Sequence, residues 1–138
     1  MTYDWLTKSE TMKVPGLPAR LRTLTSTPAE ESGLIEFLDG PPLQYEWVVL
    51  ATNERQHVCG WAALFGALRY RFYADLFVDP AYRGQGIGRH LFEEVKGRAE
   101  MALIVSDTPF YRHLAPEAEA YESSGLNLLR IQCHNRSD

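Results

Sequence analysis

The sequence predicts an α+β fold built on one mixed, mostly antiparallel sheet. Residues 43–78 divide into three consecutive strand-like segments with short turns between them, as in an antiparallel meander. A glycine-rich turn and a helix over residues 85–99 follow directly, and the apolar residues of this helix recur every four positions from Ile87 to Val95. A short apolar segment at 101–105 then predicts a strand, and a strand reached through a crossover helix lies parallel to the one before it.

At 138 residues the chain is predicted to form one domain, residues 1–138, with a single sizeable core. Its 45% hydrophobic content is typical of a globular protein, and a net charge of −4 argues against general nucleic-acid binding. Cys59 and Cys133 are too few for a disulfide framework, which predicts two free thiols in a reducing compartment. The N-terminus lacks the basic start and apolar run of a signal peptide, and no apolar stretch is long enough for a membrane span. We therefore expect a cytoplasmic protein.

The first third of the chain predicts an arm, a strand and a helix. Residues 1–17 are mixed in character and are interpreted as an extended N-terminal arm that Tyr3 and Trp5 could anchor on the domain. Residues 19–25 suggest a modest first strand. The run Ser-Thr-Pro at 26–28 is typical of a helix start, with a hydroxyl at the N-cap and proline in the first turn. The buried stripe of this helix would consist of Leu34, Ile35 and Leu38.

The three strands of the meander are predicted at 43–52, 57–64 and 68–78. The first alternates between apolar and polar residues, while the second is almost wholly apolar, as expected for a strand covered on both faces. Asn53-Glu54-Arg55 and Gly66 provide the turns between the strands.

The last third predicts a loop, a short helix and a final strand. Residues 108–116 are interpreted as a loop that carries Phe110 and Tyr111. Pro116 would start a short helix that ends near Gly125, which suits a helix C-cap. Residues 126–133 form the last predicted strand, so the predicted order of elements is β-α-β-β-β-α-β-α-β.

The glycine-rich turn, Arg-Gly-Gln-Gly-Ile-Gly-Arg at 83–89, is the strongest functional signal. Pro80 stops the strand before it, and glycines at a helix start present free backbone N–H groups to an anion such as phosphate. Residues 82–89 contain two arginines and no acid. A P-loop is excluded because no Gly-Lys-Ser or Gly-Lys-Thr follows, and the dinucleotide fingerprint fails because Arg89 stands where its last glycine should be.

What remains is R-x-x-G-x-G, formed by Arg83, Gly86 and Gly88 after Leu-Phe-Val-Asp-Pro at 76–80. This pattern resembles the acetyl-CoA-binding motif of the GNAT (Gcn5-related) N-acetyltransferases. The resemblance extends over residues 19–133 and implies a three-layer fold with helices on both faces of the sheet and a splayed parallel pair of strands.

The chain departs from the family in two places. The family usually closes with a hairpin of two strands, where this sequence predicts one, and usually has two helices before the meander. The missing strand could be replaced by residues 1–17 or by the partner in a homodimer.

The resemblance implies acetyl-CoA as co-substrate and direct attack of an amine on its thioester, without a covalent enzyme intermediate. The pantetheine chain would bond to backbone groups of the strand, and the pyrophosphate would lie on the N–H groups of the turn. The implied cofactor-binding residues are Leu76, Phe77, Val78, Arg83, Gly84, Gln85, Gly86, Ile87, Gly88 and Arg89. The alternatives are a protein or peptide amine as acceptor, and a degenerate domain that binds acyl-CoA as a sensor or interaction module.

The second family pattern, A-x-x-F-Y-x-x-x-G-F near the start of the last helix, identifies Tyr121 as the candidate proton donor to the departing CoA thiolate. Gly125 and Leu126 follow Tyr121 at the spacing of the pattern's Gly and Phe, although Ala120 replaces the preceding Phe. The alternative is a tyrosine packed in the core. Tyr111 also follows a phenylalanine, but no glycine stands at the required distance from it.

N-acetylation needs a neutral amine, and an amine of pKa about 10.4 costs about 4.6 kcal/mol to deprotonate at pH 7. Asp75 is the leading candidate for the base, and Glu46 is the second. Asp75 could instead pair with Arg69 or Arg71. A carboxylate at 75 would also attract a cation, which predicts a small primary amine or polyamine as the acceptor. The histidines at 57, 90, 113 and 134 show no metal-ligand spacing, so no metal is predicted.

Overall fold

The computed structural model describes residues 1–24, 47–68, 71–99, 102–123 and 125–133. The strands are β1 (Thr2–Thr7), β2 (Trp47–Thr52), β3 (Val58–Leu68), β4 (Arg71–Val78), β5 (Ala102–Ser106), β6 (Glu119–Ser123) and β7 (Leu126–Gln132). The helices are α1 (Lys8–Lys13), α2 (Leu17–Leu24), α3 (Ile87–Arg98) and α4 (Pro109–Leu114), with a 3-10 turn at Pro80–Tyr82 before α3. The described strands form one sheet in the order β1-β2-β3-β4-β5-β7-β6.

The sheet confirms the predicted α+β class. The meander β2-β3-β4 is antiparallel, and among the described strand pairs only β4 and β5 run parallel. That parallel pairing extends only from Arg71↔Ala102 to Tyr73↔Ile104, although β4 continues to Val78. The two strands therefore separate beyond Tyr73, which is the splayed parallel pair that the family resemblance implies.

Each face of the sheet carries its own apolar cluster. On one face, α3 buries Ile87, Leu91, Phe92 and Val95 against the strands. This confirms the predicted apolar stripe, in which Ile87, Leu91 and Val95 recur every four positions. On the other face, α2 lies over Trp61 and Phe77. Full burial of a large apolar side chain contributes about 1.5–3 kcal/mol. None of the helices in the described ranges is long and apolar enough to cross a membrane.

The N-terminal segment is a strand and a helix, so the predicted extended arm at 1–17 is wrong. β1 pairs antiparallel with β2, from Thr2↔Thr52 to Thr7↔Trp47. Thr7 then starts α1 with a capping box, because its hydroxyl accepts from Glu10 N at 3.1 Å and Glu10 Oε1 accepts from Thr7 N at 2.8 Å.

The anchoring role predicted for Tyr3 and Trp5 is confirmed. The Tyr3 ring stacks on His90 of α3 with a centroid distance of 3.6 Å, and Trp5 Nε1 donates to Glu94 Oε1 at 3.0 Å. Both aromatic side chains are on one face because alternate residues of a strand point the same way. β1 therefore fixes the outer side of the helix that follows the glycine turn.

The strand predicted at 19–25 is also wrong, because α2 occupies this part of the chain. Leu17 and Leu21 are four positions apart and are both buried against the sheet, a spacing that matches a helix rather than a strand. The helix predicted from Ser26, with its stripe at Leu34, Ile35 and Leu38, lies outside the described residues.

The C-terminal region corrects a third prediction. The segment after Pro116 was expected to be a short helix, but residues 119–123 form β6, which pairs antiparallel with β7. Gly125 has φ +80° at the hairpin turn, where a left-handed residue suits the twist of the strands. The chain therefore has the two-strand hairpin that the sequence seemed to lack. Residues 1–17 do not replace it, because β1 lies at the opposite edge of the sheet.

Both cysteines are free and buried, as predicted. Cys133 lies at the end of β7 and is 2% exposed. Burial raises the pKa of its thiol from 9.0 to about 11, with a small opposing effect of Lys96. Below pH 9 the Cys133 thiol is neutral in both the folded and the unfolded state, so it does not make the free energy of unfolding depend on pH. Between pH 9 and 11 only the unfolded chain loses the proton, and the folded state loses stability.

Replacement of Cys133 by Ala should therefore flatten the alkaline side of the stability curve. We expect the wild-type protein to lose about 2 to 3 kcal/mol of unfolding free energy through this group between pH 9 and 11, and the variant to lose correspondingly less. Urea unfolding at several pH values measures the difference. Val95→Ala is the control, since it leaves a cavity in the same apolar cluster without removing a titratable group and should keep the wild-type slope. Equal slopes in Cys133→Ala and the wild type would contradict the prediction.

Candidate active site

The gap between β4 and β5 forms the floor of the candidate site. Asp79 N donates to Cys59 O at 2.8 Å, which continues the β3–β4 ladder past its last register pair, Gly60↔Val78. Hydrogen-bonded pairs alternate in an antiparallel ladder, so the backbone groups of Leu76 and Val78 point away from β3 and into the gap. The sequence prediction that these two residues offer backbone groups to a ligand thus has a geometric basis.

A cavity of about 660 Å³ lies over this gap, within the usual size range of a small-molecule site. Nine of the ten predicted cofactor-binding residues line it, and Gln85 does not. The nine are Leu76, Phe77, Val78, Arg83, Gly84, Gly86, Ile87, Gly88 and Arg89. The remaining lining residues, which sequence reasoning missed, are Tyr82, Thr108, Phe110, His113 and Leu114. All of these except Tyr82 belong to α4 or its N-cap, in a segment that the sequence suggested was a loop.

The glycine turn leaves a helix N-terminus open to the cavity. Gly84 and Gly86 both have φ +84°, a left-handed conformation that residues with a Cβ rarely adopt. Gly86 is the N-cap of α3 and supplies no side-chain cap. The first N–H groups of the helix, at residues 87–89, therefore point at the cavity without intrahelical partners, at the positive end of the helix dipole. This is the geometry that binds phosphate.

Two further glycines, Gly88 and Gly60, allow neighbouring groups to pack closely around the gap. A Cβ on Gly88 would lie 3.5 Å from Phe110 Cζ and 3.6 Å from Val78 Cγ2, so its absence widens the cavity. A Cβ on Gly60 would lie 2.9 Å from Phe77 O and would push β4 out of position. Gly60 was missed by the sequence interpretation, and the signal for it was a glycine inside an otherwise apolar strand.

Arg83 is anchored at the mouth of the gap. Its Nε donates to Val78 O at 2.9 Å, and its guanidinium carbon lies 5.2 Å from the centroid of the Phe77 ring. Asp79 stabilises the 3-10 turn that precedes Arg83, because its Oδ1 accepts from Ala81 N at 3.0 Å and caps that turn. The arginine charge is thereby fixed next to the open helix end.

Asp75 and Tyr111 are linked through the backbone of Leu76, and neither side chain is among the residues that line the cavity. The register of β3 and β4 is unbroken from Gly60↔Val78 to Phe65↔Tyr73, so Asp75 shares a face of the sheet with Phe77, as the alternation predicted. Asp75 Oδ1 accepts a hydrogen bond from Leu76 N at 3.0 Å. Tyr111 belongs to the apolar cluster on the other face and is 5% exposed.

The environment of Tyr111 keeps its phenol protonated. Burial raises its pKa well above the usual 10.0, the charge of Asp75 raises it further, and the Leu76 backbone N–H acts in the opposite direction. Its hydroxyl makes no hydrogen bond with any described residue. A buried hydroxyl without a partner is uncommon in folded proteins, and a catalytic role is one of its explanations.

Tyr121, the predicted proton donor, lies on β6 rather than on a helix. Two strands, β5 and β7, separate β6 from β4, which corresponds to about 14 Å at the usual strand spacing. Tyr111 is the tyrosine that follows a phenylalanine on the last helix of the described chain, and the buried Ala115 stands where the family pattern has its glycine. The requirement for that glycine therefore directed the sequence interpretation to Tyr121. Glu46, the second candidate base, lies outside the described residues.

Two of the histidines have identifiable surroundings. His90 stacks on Tyr3 and lies 3.8 Å from Glu94, and His113 lines the cavity. Within the described ranges, no three His, Cys, Asp or Glu side chains cluster closely enough to hold a metal ion. The contacts of His90 support a structural role in holding α3 against β1.

Comparison with known proteins adds the family. The family model for the acetyltransferase (GNAT) domain matches residues 44–125. No curated protein matches the chain by sequence. Three of the similar solved structures are a phosphinothricin acetyltransferase from Sinorhizobium meliloti with acetyl-CoA, GCN5 of Tetrahymena, and an aminoglycoside 6′-N-acetyltransferase with coenzyme A.

The three structures cover almost the whole chain at low sequence identity. The first is 20% identical, with a TM-score of 0.61, and the match covers 99% of this chain and 91% of that one. GCN5 is 15% identical, with a TM-score of 0.68 and coverage of 100% and 99%. The third is 12% identical, with a TM-score of 0.69 and full coverage of both chains. At these identities the likeness establishes the fold.

Proposed function

The chain belongs to the GNAT family of acetyl-CoA-dependent N-acetyltransferases, and from that premise we propose that its acceptor is a small primary amine or polyamine. One observation carries the proposal. The Asp75 carboxylate accepts the N–H of Leu76, a residue that lines the cavity, and the Asp75 charge also acts on the buried Tyr111 phenol. A base and an acid near one site are the groups that amine acylation needs.

The residues of the cavity fit acetyl-CoA. The N–H groups at 87–89 and the charges of Arg83 and Arg89 would hold the pyrophosphate, and the backbone of Leu76 and Val78 would hold the pantetheine chain. When bound, acetyl-CoA supplies the acetyl group as an activated thioester.

We assign proton donation to Tyr111, in place of the Tyr121 that the sequence pattern suggested. As the C–N bond forms and the C–S bond breaks, the sulfur needs one proton, and the phenol of Tyr111 holds one throughout the neutral range because its pKa is raised. A thiolate desolvated in the same space is itself a stronger base than in water. On this proposal the Tyr111 hydroxyl supplies that proton.

Asp75 would attract the acceptor and accept its proton. A primary amine is cationic at pH 7, so a half-buried carboxylate raises its local concentration. The proton released from the amine nitrogen would then pass to Asp75 Oδ1 or Oδ2, directly or through water. The charge complementarity favours a small cationic amine over a neutral acceptor.

Asp75→Asn should lower turnover with amine acceptors by about 10²-fold or more, because the variant keeps the shape and removes the base. Affinity for acetyl-CoA should be no weaker than in the wild type. The assay is release of free CoA with a panel that contains a polyamine, an amino acid, phosphinothricin, an aminoglycoside and a lysine peptide. Asp4→Asn, an exposed carboxylate on β1, is the matched control and should leave turnover unchanged.

Two results would contradict the proposal. Tight binding of acetyl-CoA without CoA release for any amine would favour the alternative of a binding module. Full activity of Asp75→Asn would return Glu46 as the candidate base.

A further inference from the structure

The Leu76 N–H is the innermost backbone donor of the gap. The β4–β5 ladder ends at Tyr73↔Ile104, and alternation along β4 turns the Leu76 N–H toward the side where β5 has moved away. Closer to the glycine turn, the next residue with this orientation is Val78, whose carbonyl accepts from Arg83. A ligand carbonyl that lies beside β4 at this level would meet the Leu76 N–H.

This donor is already occupied by the chain itself. Asp75 Oδ1 accepts the Leu76 N–H at 3.0 Å, and the bond is charge-assisted when the carboxylate is ionised. Such bonds are about twice as strong as those between neutral groups. A neutral carbonyl oxygen that takes the same N–H must displace a stronger acceptor.

We propose that Asp75 is an internal competitor that masks the Leu76 N–H until the carbonyl of an acyl thioester displaces it. The proposal rests on the proposed function for the identity of the ligand. Displacement would turn the carboxylate away from β4 and make it available to the acceptor amine. The base would therefore become available only when the acyl group is in place.

The same competition distinguishes substrate from product. Acetyl-CoA carries a carbonyl that can replace Asp75 at the Leu76 N–H, whereas CoA carries only a thiol. After transfer, Asp75 would return to the N–H. Asp75 thus lowers the preference of the site for acetyl-CoA over CoA. Its carboxylate would leave the Leu76 N–H only in the complex with acetyl-CoA. It acts here as a positioning residue, in addition to its proposed role as base.

Masking is tested on the ligand-free protein by NMR. In the wild type we expect the Leu76 amide proton to be shifted downfield by the carboxylate and protected from solvent exchange. In Asp75→Ala the resonance should move upfield and exchange about tenfold faster or more, and Asp75→Asn should lie between the two. Asp4→Ala is the control for loss of a carboxylate elsewhere. An identical Leu76 amide in the wild type and Asp75→Ala, with the remaining spectrum native, overturns the proposal.

Competition is tested by calorimetry with acetyl-CoA and CoA. The ratio of the dissociation constant of CoA to that of acetyl-CoA should rise about tenfold in Asp75→Ala, because only acetyl-CoA gains from the freed N–H. The ratio removes any general effect of the lost charge on phosphate binding. An unchanged ratio overturns the competition. Failure of wild type and variant to bind either compound overturns the proposed function instead, and the amide measurement still decides whether Asp75 masks Leu76.

Discussion

Tyr111→Phe is expected to lower the turnover number by about 10²–10⁴-fold and to leave the Michaelis constant for acetyl-CoA nearly unchanged. The variant removes one oxygen that accepts or donates no hydrogen bond among the described residues. Removal of a buried hydroxyl without a partner does not leave another group unsatisfied, so the fold should be at least as stable as the wild type. Steady-state kinetics with the best amine of the panel, together with a urea unfolding curve, measure both effects.

Tyr121→Phe is the matched control, since it removes the same atom from the tyrosine on β6. It should retain wild-type turnover if Tyr111 is the donor. A loss in Tyr121→Phe combined with an active Tyr111→Phe would reverse the assignment and support the original sequence prediction.

The pH dependence gives a second readout for Tyr111. Because its pKa in the folded protein lies well above 10.0, the donor stays protonated as pH rises from 8 to 10, and turnover should not fall through this group in that range. Above pH 10 the unfolded chain loses this proton first, so the folded state loses stability as pH rises further. Tyr111→Phe should lack that part of the alkaline destabilisation.

The parts of the fold that local patterns determine were predicted correctly. The meander followed from three apolar segments, although β3 continues through Gly66, the predicted second turn, to Leu68. Helix α3 followed from the four-residue spacing that begins at Ile87. The glycine turn was identified because positive φ at Gly84 and Gly86 requires glycine, and that requirement is visible in sequence. These signals depend on neighbours only a few positions away.

The errors concern segments whose local signals support two structures. A proline followed by a glycine some nine residues later suits a short helix with a C-cap, but Gly125 equally suits a hairpin turn, and only pairing with β7 decides between them. Thr108-Pro109 starts α4 with the same signals that predict a helix at residues 26–28, a hydroxyl at the N-cap and proline in the first turn.

The effect of the Asp75 charge on Tyr111 could not be predicted from the sequence. It depends on where the β4–β5 ladder ends and on the packing of α4, and both are long-range features. The role of Gly60 depends in the same way on a carbonyl of the neighbouring strand, at Phe77.

Gly86→Asp is expected to abolish measurable binding of acetyl-CoA and CoA, a loss of at least about 10²-fold in affinity. The new carboxylate would stand at the N-cap of α3, beside the N–H groups that are proposed to hold the pyrophosphate. A side chain at an N-cap accepts hydrogen bonds from those same N–H groups, so it would occupy them as well as repel the ligand. The aspartate must adopt φ +84°, which costs about 1–2 kcal/mol, and a favourable acidic group at the helix N-terminus offsets part of that cost.

Two controls separate charge and capping from backbone strain. Gly16→Asp places the same residue at φ +77° in another turn, where nothing lies within 4 Å of the new Cβ, and should keep full affinity. Gly86→Asn introduces a residue that tolerates left-handed φ and caps a helix without a charge, so its affinity should be intermediate. Calorimetric titration of all three folded variants with CoA makes the comparison. If Gly86→Asp binds CoA as tightly as the wild type does, the pyrophosphate does not lie on the α3 N-terminus and the cofactor site must be sought elsewhere on the chain.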